Sequence, residues 1–367
     1  MDEMAPLELE IRRRIAAAGP MPVGEYMALC LGDPDYGYYT TRDPLGVRGD
    51  FITAPEISQM FGELIGLWMA TVWKQMGAPE NIRVIELGPG RGTLMKDAIR
   101  AVEVMPAFRD ALVIDLVEIS PALRAAQERS LEGLPMAVLW HDRLADVPKG
   151  PAIVIANEFF DALPVHQVVK SARGWHERQV EIDAAGKLAF TVAPDPIVHF
   201  DMLLPADVRG AEKGAIFEWR GNGEAMALGR RLFGQGGAAL VIDYGHTETA
   251  VGETLQAVGH HAYADPLTTP GEIDLTAHVD FQALARAVEA MGVKGYGPID
   301  QATFLRRLGI ETRAAALKNK AVARAAVAEI DLALSRLIGQ SRTGMGELFK
   351  VASFAHASVG VPPGFVR

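Results

Sequence analysis

Three glycines alternate behind a carboxylate in Glu86–Thr93 (ELGPGRGT). Counting excludes two phosphate-binding arrangements. A P-loop needs Gly, four residues, then Gly-Lys-Ser/Thr, and from Gly88 that second glycine position holds Thr93. The dinucleotide fingerprint Gly-x-Gly-x-x-Gly ends on Thr93 when started at Gly88 and on Met95 when started at Gly90. What remains is Glu-x-Gly-x-Gly-x-Gly. Without Cβ atoms at Gly88, Gly90 and Gly92, the backbone can pass close under a nucleoside that carries an amino-acid tail. Glu86, at the end of the preceding apolar run, can accept from an ammonium group or orient the loop amides. A βα turn with no ligand would need a single glycine.

Two more acids fall at comparable places. Glu118 ends the next apolar run, where a carboxylate can accept both hydroxyl protons of a ribose. The run after that ends in His141-Asp142, and Asp142 is placed to accept an adenine amino hydrogen. Each acid alone also reads as a solvated loop charge. Acids at successive strand ends match where open α/β sheets bind ligands.

The elements that must position these residues read as a doubly wound α/β sheet. Arg83–Leu87, Leu112–Val117, Ala137–Trp140, Ala152–Ala156 and Ala238–Asp243 are short apolar runs separated by helical stretches, the rhythm of parallel strands covered on both faces. Ser120-Pro121 starts the helix after the second run. Residues 1–80 read as mostly helical, broken by the turn-rich Gly32–Thr41, with a long apolar stripe over Ile57–Met76. Val165–Lys170, Glu177–Ile182 and Leu188–Val192 form a β-meander inserted before the fifth strand. Gln301–Ile338 is a second insertion, a solvated amphipathic helix pair, between the late strands Val293–Tyr296 and Phe349–Phe354. The expected division is therefore an N-terminal region, 1–80; a sheet domain, 81–164, 236–300 and 345–367; and insertions at 165–235 and 301–344 for substrate or partner.

Composition removes several classes. The chain has 367 residues, 49% apolar and 22% charged, with a formal net charge of −10. That is an ordinary globular balance, and the acid excess argues against a general nucleic-acid partner. The single cysteine, Cys30, implies no oxidising compartment and reads as a buried thiol. Apolar runs stop short of the roughly 18 residues of a membrane span. The acidic N-terminus disfavours a signal peptide or mitochondrial presequence, so a cytoplasmic location is expected. The densest metal-type cluster, His260, His261, Asp265 and His278, lacks a cysteine, and no metal site is expected.

The glycine loop and its acids resemble those of the class I S-adenosylmethionine-dependent methyltransferases, with a Rossmann-like sheet. Five segments are similar to a narrower group, the MidA family: Gly49–Ser58 (GDFITAPEIS), Glu86–Thr93, Asn157–Pro164 (NEFFDALP), Ile242–Gly245 (IDYG) and Asp274–Phe281 (DLTAHVDF). The similarity runs from about Pro22 to Ser353. That family includes a mitochondrial complex I assembly factor that methylates protein arginine. The resemblance implies S-adenosyl-L-methionine as cofactor and a protein substrate, with a respiratory complex I subunit or a bacterial counterpart as the target.

An arginine acceptor poses one chemical problem. Its guanidinium is protonated, so a carboxylate must pair with it, fix its plane and help remove a proton. The candidates follow the fourth strand: Glu158 and Asp161 as acids, and Asn157 holding cofactor or acceptor through its amide. Glu158 and Asp161 also read as surface loop acids. Thr53 and Glu56 sit in the N-terminal motif and close over the cofactor, with Thr53 doubling as a helix cap. Asp243 and Tyr244 line the acceptor cleft. A non-catalytic assembly factor that keeps the fold and holds a partner through its insertions is the alternative.

Overall fold

A computed structural model of the chain describes residues 4–41, 52–259, 262–340 and 344–366. The chain forms two compact units, one from the described residues of Met1–Phe51 with Asp161–Gly221 and Glu248–Gln282, the other from Ile52–Phe160, Asn222–Thr247 and Ala283–Arg367. These units cut the chain differently from the four-part division expected above.

The second unit holds the central sheet. Its strands are β1 (Ile82–Leu87), β2 (Leu112–Val117), β3 (Val138–His141), β4 (Ala152–Asn157), β5 (Gly237–His246), β6 (Lys294–Asp300) and β7 (Phe349–Ala355), in the order β6-β7-β5-β4-β1-β2-β3. The strands from β5 to β3 pair in parallel, while β7 runs antiparallel to both β5 and β6. The chain order reverses between β1 and β4, which opens a crevice at the carboxyl edge. The continuous apolar runs follow from burial on both faces: Val84, Ile114, Ile153, Ile155, Leu240, Ile242 and Val351 are all fully buried. Each such side chain contributes about 1.5–3 kcal/mol on leaving water.

Helices α1 (Gln59–Gln75), α2 (Thr93–Val102), α3 (Pro121–Ser130) and α4 (Gly223–Gln235) cover the sheet. The Ser120 hydroxyl accepts from Leu123 N and Pro121 opens α3, as the sequence required. A Cβ on Gly66 would lie 2.4 Å from the Ala98 carbonyl oxygen. α1 and α2 therefore touch backbone to backbone, and this contact fixes the helix that begins where the glycine loop ends. Helix α4 lies inside the stretch expected to be insertion; it is the connection into β5.

The stretch read as a solvated helix pair is three helices, α5 (Gln301–Arg307), α6 (Ile310–Lys320) and α7 (Arg324–Ile338). Phe304, Leu305, Ile310, Ala314, Leu337 and Ile338 from them join the same core. Arg313 on α6 forks onto the buried Glu63 of α1, at 2.7 and 2.8 Å. The two-point pairing fixes the geometry of that contact, and removing Arg313 would leave the buried Glu63 carboxylate with one fewer cation.

In the other unit, Val165–Ser171, Gly174–Ile182 and Leu188–Val192 form the expected meander, with Ile216–Arg220 beside Val165–Ser171 and Met21–Pro22 beside Gly174–Ile182. The N-terminal helices Pro6–Ala18 and Val23–Gly32 pack their apolar faces here, around Leu7, Ile11, Tyr26, Met27, Val165 and Val180. Cys30 is fully buried, and that burial pushes its thiol up to about 12, an inert small hydrophobe as its setting implied. Among the described residues no helix is long and apolar enough to cross a membrane.

Candidate functional site

The strand tips stand level. One step past each strand the backbone still donates to its neighbour: Gly88 N to Val117 O, Glu118 N to His141 O, and Glu158 N to Ile242 O, at 2.9–3.0 Å. The loops that leave β1, β2 and β4 therefore start from one line.

The glycines are required by backbone conformation. Gly88, Gly90 and Gly92 have φ of 63°, 54° and 77°, a left-handed path that L side chains rarely adopt. A Cβ on Gly88 would meet the Phe159 ring at 3.1 Å, and one on Gly92 would meet Leu131 at 3.5 Å. At these two positions the missing side chain makes room for protein, which differs from the open space the sequence suggested. Thr93 then opens α2, and its hydroxyl donates a short hydrogen bond to Glu56 Oε1.

Glu86 is buried, and its Oε2 has no hydrogen-bond partner among the described residues. Burial raises its carboxyl from 4.5 to about 8. Glu118 is also buried but well bonded: Oε1 accepts from Ser120 N at 2.8 Å and Oε2 from Gln127 Nε2 at 3.2 Å. Desolvation lifts its pKa, and these hydrogen bonds oppose the rise. Asp142 has a different setting. Its side chain is 73% exposed and pairs with Arg124 at 2.7 Å. Arg124 Nε also donates to the Glu118 carbonyl at 2.8 Å, so one guanidinium joins the β2 and β3 tips.

At the β4 tip, Glu158 is a non-glycine residue with φ of 52°. Such a conformation costs on the order of 1 kcal/mol or more and persists only where the surroundings hold it. Those surroundings are visible. Glu158 Oε1 accepts from Asn157 Nδ2 at 3.1 Å and from Ala54 N at 3.3 Å. The Asn157 Oδ1 is buried without a partner among the described residues. Asp243, expected to line a cleft, is instead fully buried and accepts from Phe160 N and Tyr244 N, both at 3.0 Å. It fixes the turn that carries Glu158.

The N-terminal motif reaches both tips: Ala54 contacts Glu158, and Glu56 contacts Thr93. Thr53 occupies the cap position of helix Ala54–Ile57, but its hydroxyl makes no cap bond. Asp161 belongs to the other unit, where it is buried and its carbonyl accepts from Ala277 N at 3.2 Å and Arg220 Nη2 at 3.1 Å. Asp50 and Phe51 of the motif, and His260 and His261, lie outside the described residues. Among the described residues no cluster of His, Cys, Asp or Glu is arranged to hold a metal.

Gln127 and Arg124 were not singled out from the sequence, and Asp243 was expected to line a cleft and not to hold the β4 turn. Gln127 carried one signal: it lies one turn from Leu123 and one from Leu131, on the buried side of α3, where a leucine would be expected.

The model of a family of S-adenosyl-L-methionine-dependent methyltransferases matches residues 64–299. Protein arginine methyltransferase NDUFAF7, mitochondrial, of Mus musculus is 37% identical over 350 residues, covering 87% of this chain and 78% of its own. Its Homo sapiens counterpart is 37% identical over 348 residues, 86% of this chain and 76% of its own. The solved structure of a Burkholderia thailandensis protein bound to S-adenosyl-homocysteine is similar at 30% identity with a TM-score of 0.86, covering 98% of this chain and 93% of that one. The curated relatives are named mitochondrial, which overturns the cytoplasmic location expected from the sequence.

Proposed function

The chain belongs to this family of S-adenosyl-L-methionine-dependent methyltransferases, and we propose that it is a protein arginine N-methyltransferase whose substrate is a protein, with a respiratory complex I subunit as the specific candidate. The curated relatives' names support arginine as the acceptor. The observation that carries the reading is Glu158, a carboxylate kept in a left-handed conformation at the tip of β4.

The residues present fit the cofactor. Glu86 Oε2 is a buried acceptor in want of a donor, which an ammonium group would supply. A carboxylate offers about four acceptor directions, and the hydrogen bonds that Glu118 accepts from Ser120, Gln127 and Ile119 leave room for a ribose hydroxyl. We assign cofactor binding to Glu86, Gly88, Gly90, Gly92, Glu118 and Asp142, with Thr53 and Glu56 closing the site from the N-terminal motif. When bound, S-adenosylmethionine supplies an activated methyl group. The protein's task is then alignment and charge.

On the acceptor side we assign Glu158 and Asn157. Glu158 accepts from the guanidinium N–H groups, fixes the guanidinium plane and draws off a proton as the acceptor nitrogen reacts. Asn157 orients Glu158 through Nδ2 and offers Oδ1 to a donor on cofactor or acceptor.

The test is methyl transfer from labelled S-adenosylmethionine into lysate from cells lacking this protein, followed by mass spectrometry. Methylarginine in a discrete protein is the expected result. Label on another residue type overturns the arginine assignment, and no label at all favours a binding protein.

A further inference from the structure

We propose that Gln127 is a positioning residue of the cofactor site, locking the Glu118 carboxylate and the Gly90 peptide into one unit with the Trp140 indole. The inference rests on the cofactor-site reading above and adds a residue to it.

Gln127 is fully buried on α3. An amide placed there without hydrogen bonds costs a few kcal/mol more than a leucine, so its bonds must account for it. Nε2 donates to the Gly90 carbonyl at 2.7 Å and to Glu118 Oε2 at 3.2 Å, while Oε1 accepts from Trp140 Nε1 at 2.8 Å. The amide has one orientation. The indole N–H only donates, and the carbonyl and carboxylate only accept, so exchanging O and N would break every contact.

The consequences reach two loops and a strand. With Ser120 N on Oε1 and Gln127 on Oε2, the plane of the Glu118 carboxylate is fixed at both oxygens. The Gly90 carbonyl is turned inward, which helps hold the left-handed turn at φ 54°. Trp140 ties the same amide to β3. A ligand that meets groups already held in place loses less freedom on binding than one that must order them.

Calorimetry with S-adenosylhomocysteine tests this in the full-length protein. Gln127→Leu, shown folded by its thermal transition, is expected to weaken binding at least tenfold. Combined with Glu118→Ala, it is expected to add less than threefold, because Gln127 acts largely through that carboxylate. Gln127→Glu gives a readout that a packing role would not move. Relative to wild type at the same pH, its affinity should be best at low pH, where a protonated carboxyl keeps one donor for Gly90 O or Glu118 Oε2, and should fall as pH rises. At pH 8, facing Glu118 as a like charge, it should be more than tenfold weaker. Wild-type binding with Gln127→Leu within twofold of it overturns this proposal alone, as does a pH-independent ratio for Gln127→Glu. A wild-type protein that binds no S-adenosylhomocysteine overturns the site reading and this proposal with it.

Discussion

At the tip of β1, left-handed backbone falls on Gly88, Gly90 and Gly92; at the tip of β4 it falls on Glu158. The first loop needs the conformation and no side chain. The second needs the same conformation and a carboxylate as well, and strain is accepted there. The β2 and β4 tips also differ in how their polar groups are satisfied. Around β2, Glu118, Gln127 and Trp140 bond to one another inside the protein. At β4, Asn157 turns its Nδ2 toward Glu158 and leaves Oδ1 buried and unbonded. Internal satisfaction builds a fixed seat, while a leftover acceptor beside a strained carboxylate is a group prepared for something not part of the chain. We read the first as the cofactor seat and the second as the acceptor edge.

The comparison breaks most directly at Gly90. Gly90→Val places a β-branched side chain at φ 54°, where it cannot sit without moving the loop. Binding of S-adenosylhomocysteine is expected to fall by about 100-fold or more, measured by calorimetry on protein that retains its thermal transition. Folded protein with normal affinity would mean that the loop's path does not matter to the ligand.

Glu158→Gln separates the two tips. The amide oxygen can still accept from Ala54 N, so the turn should survive and cofactor affinity should stay within about threefold. Turnover should drop by about 100-fold, the range of a lost general base. Equal losses in affinity and turnover would move Glu158 to the cofactor side.

Glu86 supplies a pH test. Its folded carboxyl titrates near 8 against 4.5 when unperturbed, so the folded free protein holds that proton more tightly than the unfolded chain. The resulting stability is complete below pH 4.5 and is lost as pH rises toward 8. Glu86→Gln removes this loss, so its denaturation midpoint should fall less than that of wild type between those limits. The variant should also weaken S-adenosylhomocysteine binding most at high pH, where wild-type Glu86 can ionise against an ammonium. Parallel pH–stability curves for the two proteins would mean that Glu86 carries no such proton.

Much of this edge is legible in the sequence because it is local. Apolar runs such as Leu112–Val117 announce buried strands, Ser120-Pro121 announces a helix start, and alternating glycines announce a tight βα loop free of Cβ atoms. The rest depends on partners far along the chain. That Gln127 meets Gly90 and Trp140, or that Asp243 caps Phe160, follows from the superposition of strand tips and not from any spacing. The pairing of Met21–Pro22 with the meander is hidden for the same reason. Helix α4 was masked by the inserted strands before it. In Gln301–Ile338, abundant alanine among scattered basic residues obscured the side that α5, α6 and α7 bury.

Asp142 should give the smallest effect, and it sharpens the contrast within the cofactor seat itself. Unlike Glu118, it lies 73% exposed, and its charge is already shared with Arg124. Exposed pairs of this kind are worth about 0–1 kcal/mol, so Asp142→Asn should barely move the thermal transition. An amide oxygen still accepts a hydrogen bond, so S-adenosylhomocysteine affinity should fall by no more than about threefold. Glu118→Gln, by contrast, turns an acceptor-only group into one carrying an N–H that must face Ser120 N, Gln127 Nε2 or the ribose. It should cost at least tenfold more than Asp142→Asn in side-by-side calorimetry. Equal effects of the two substitutions would show that burial and internal bonding at the β2 tip add nothing to how the seat holds its ligand.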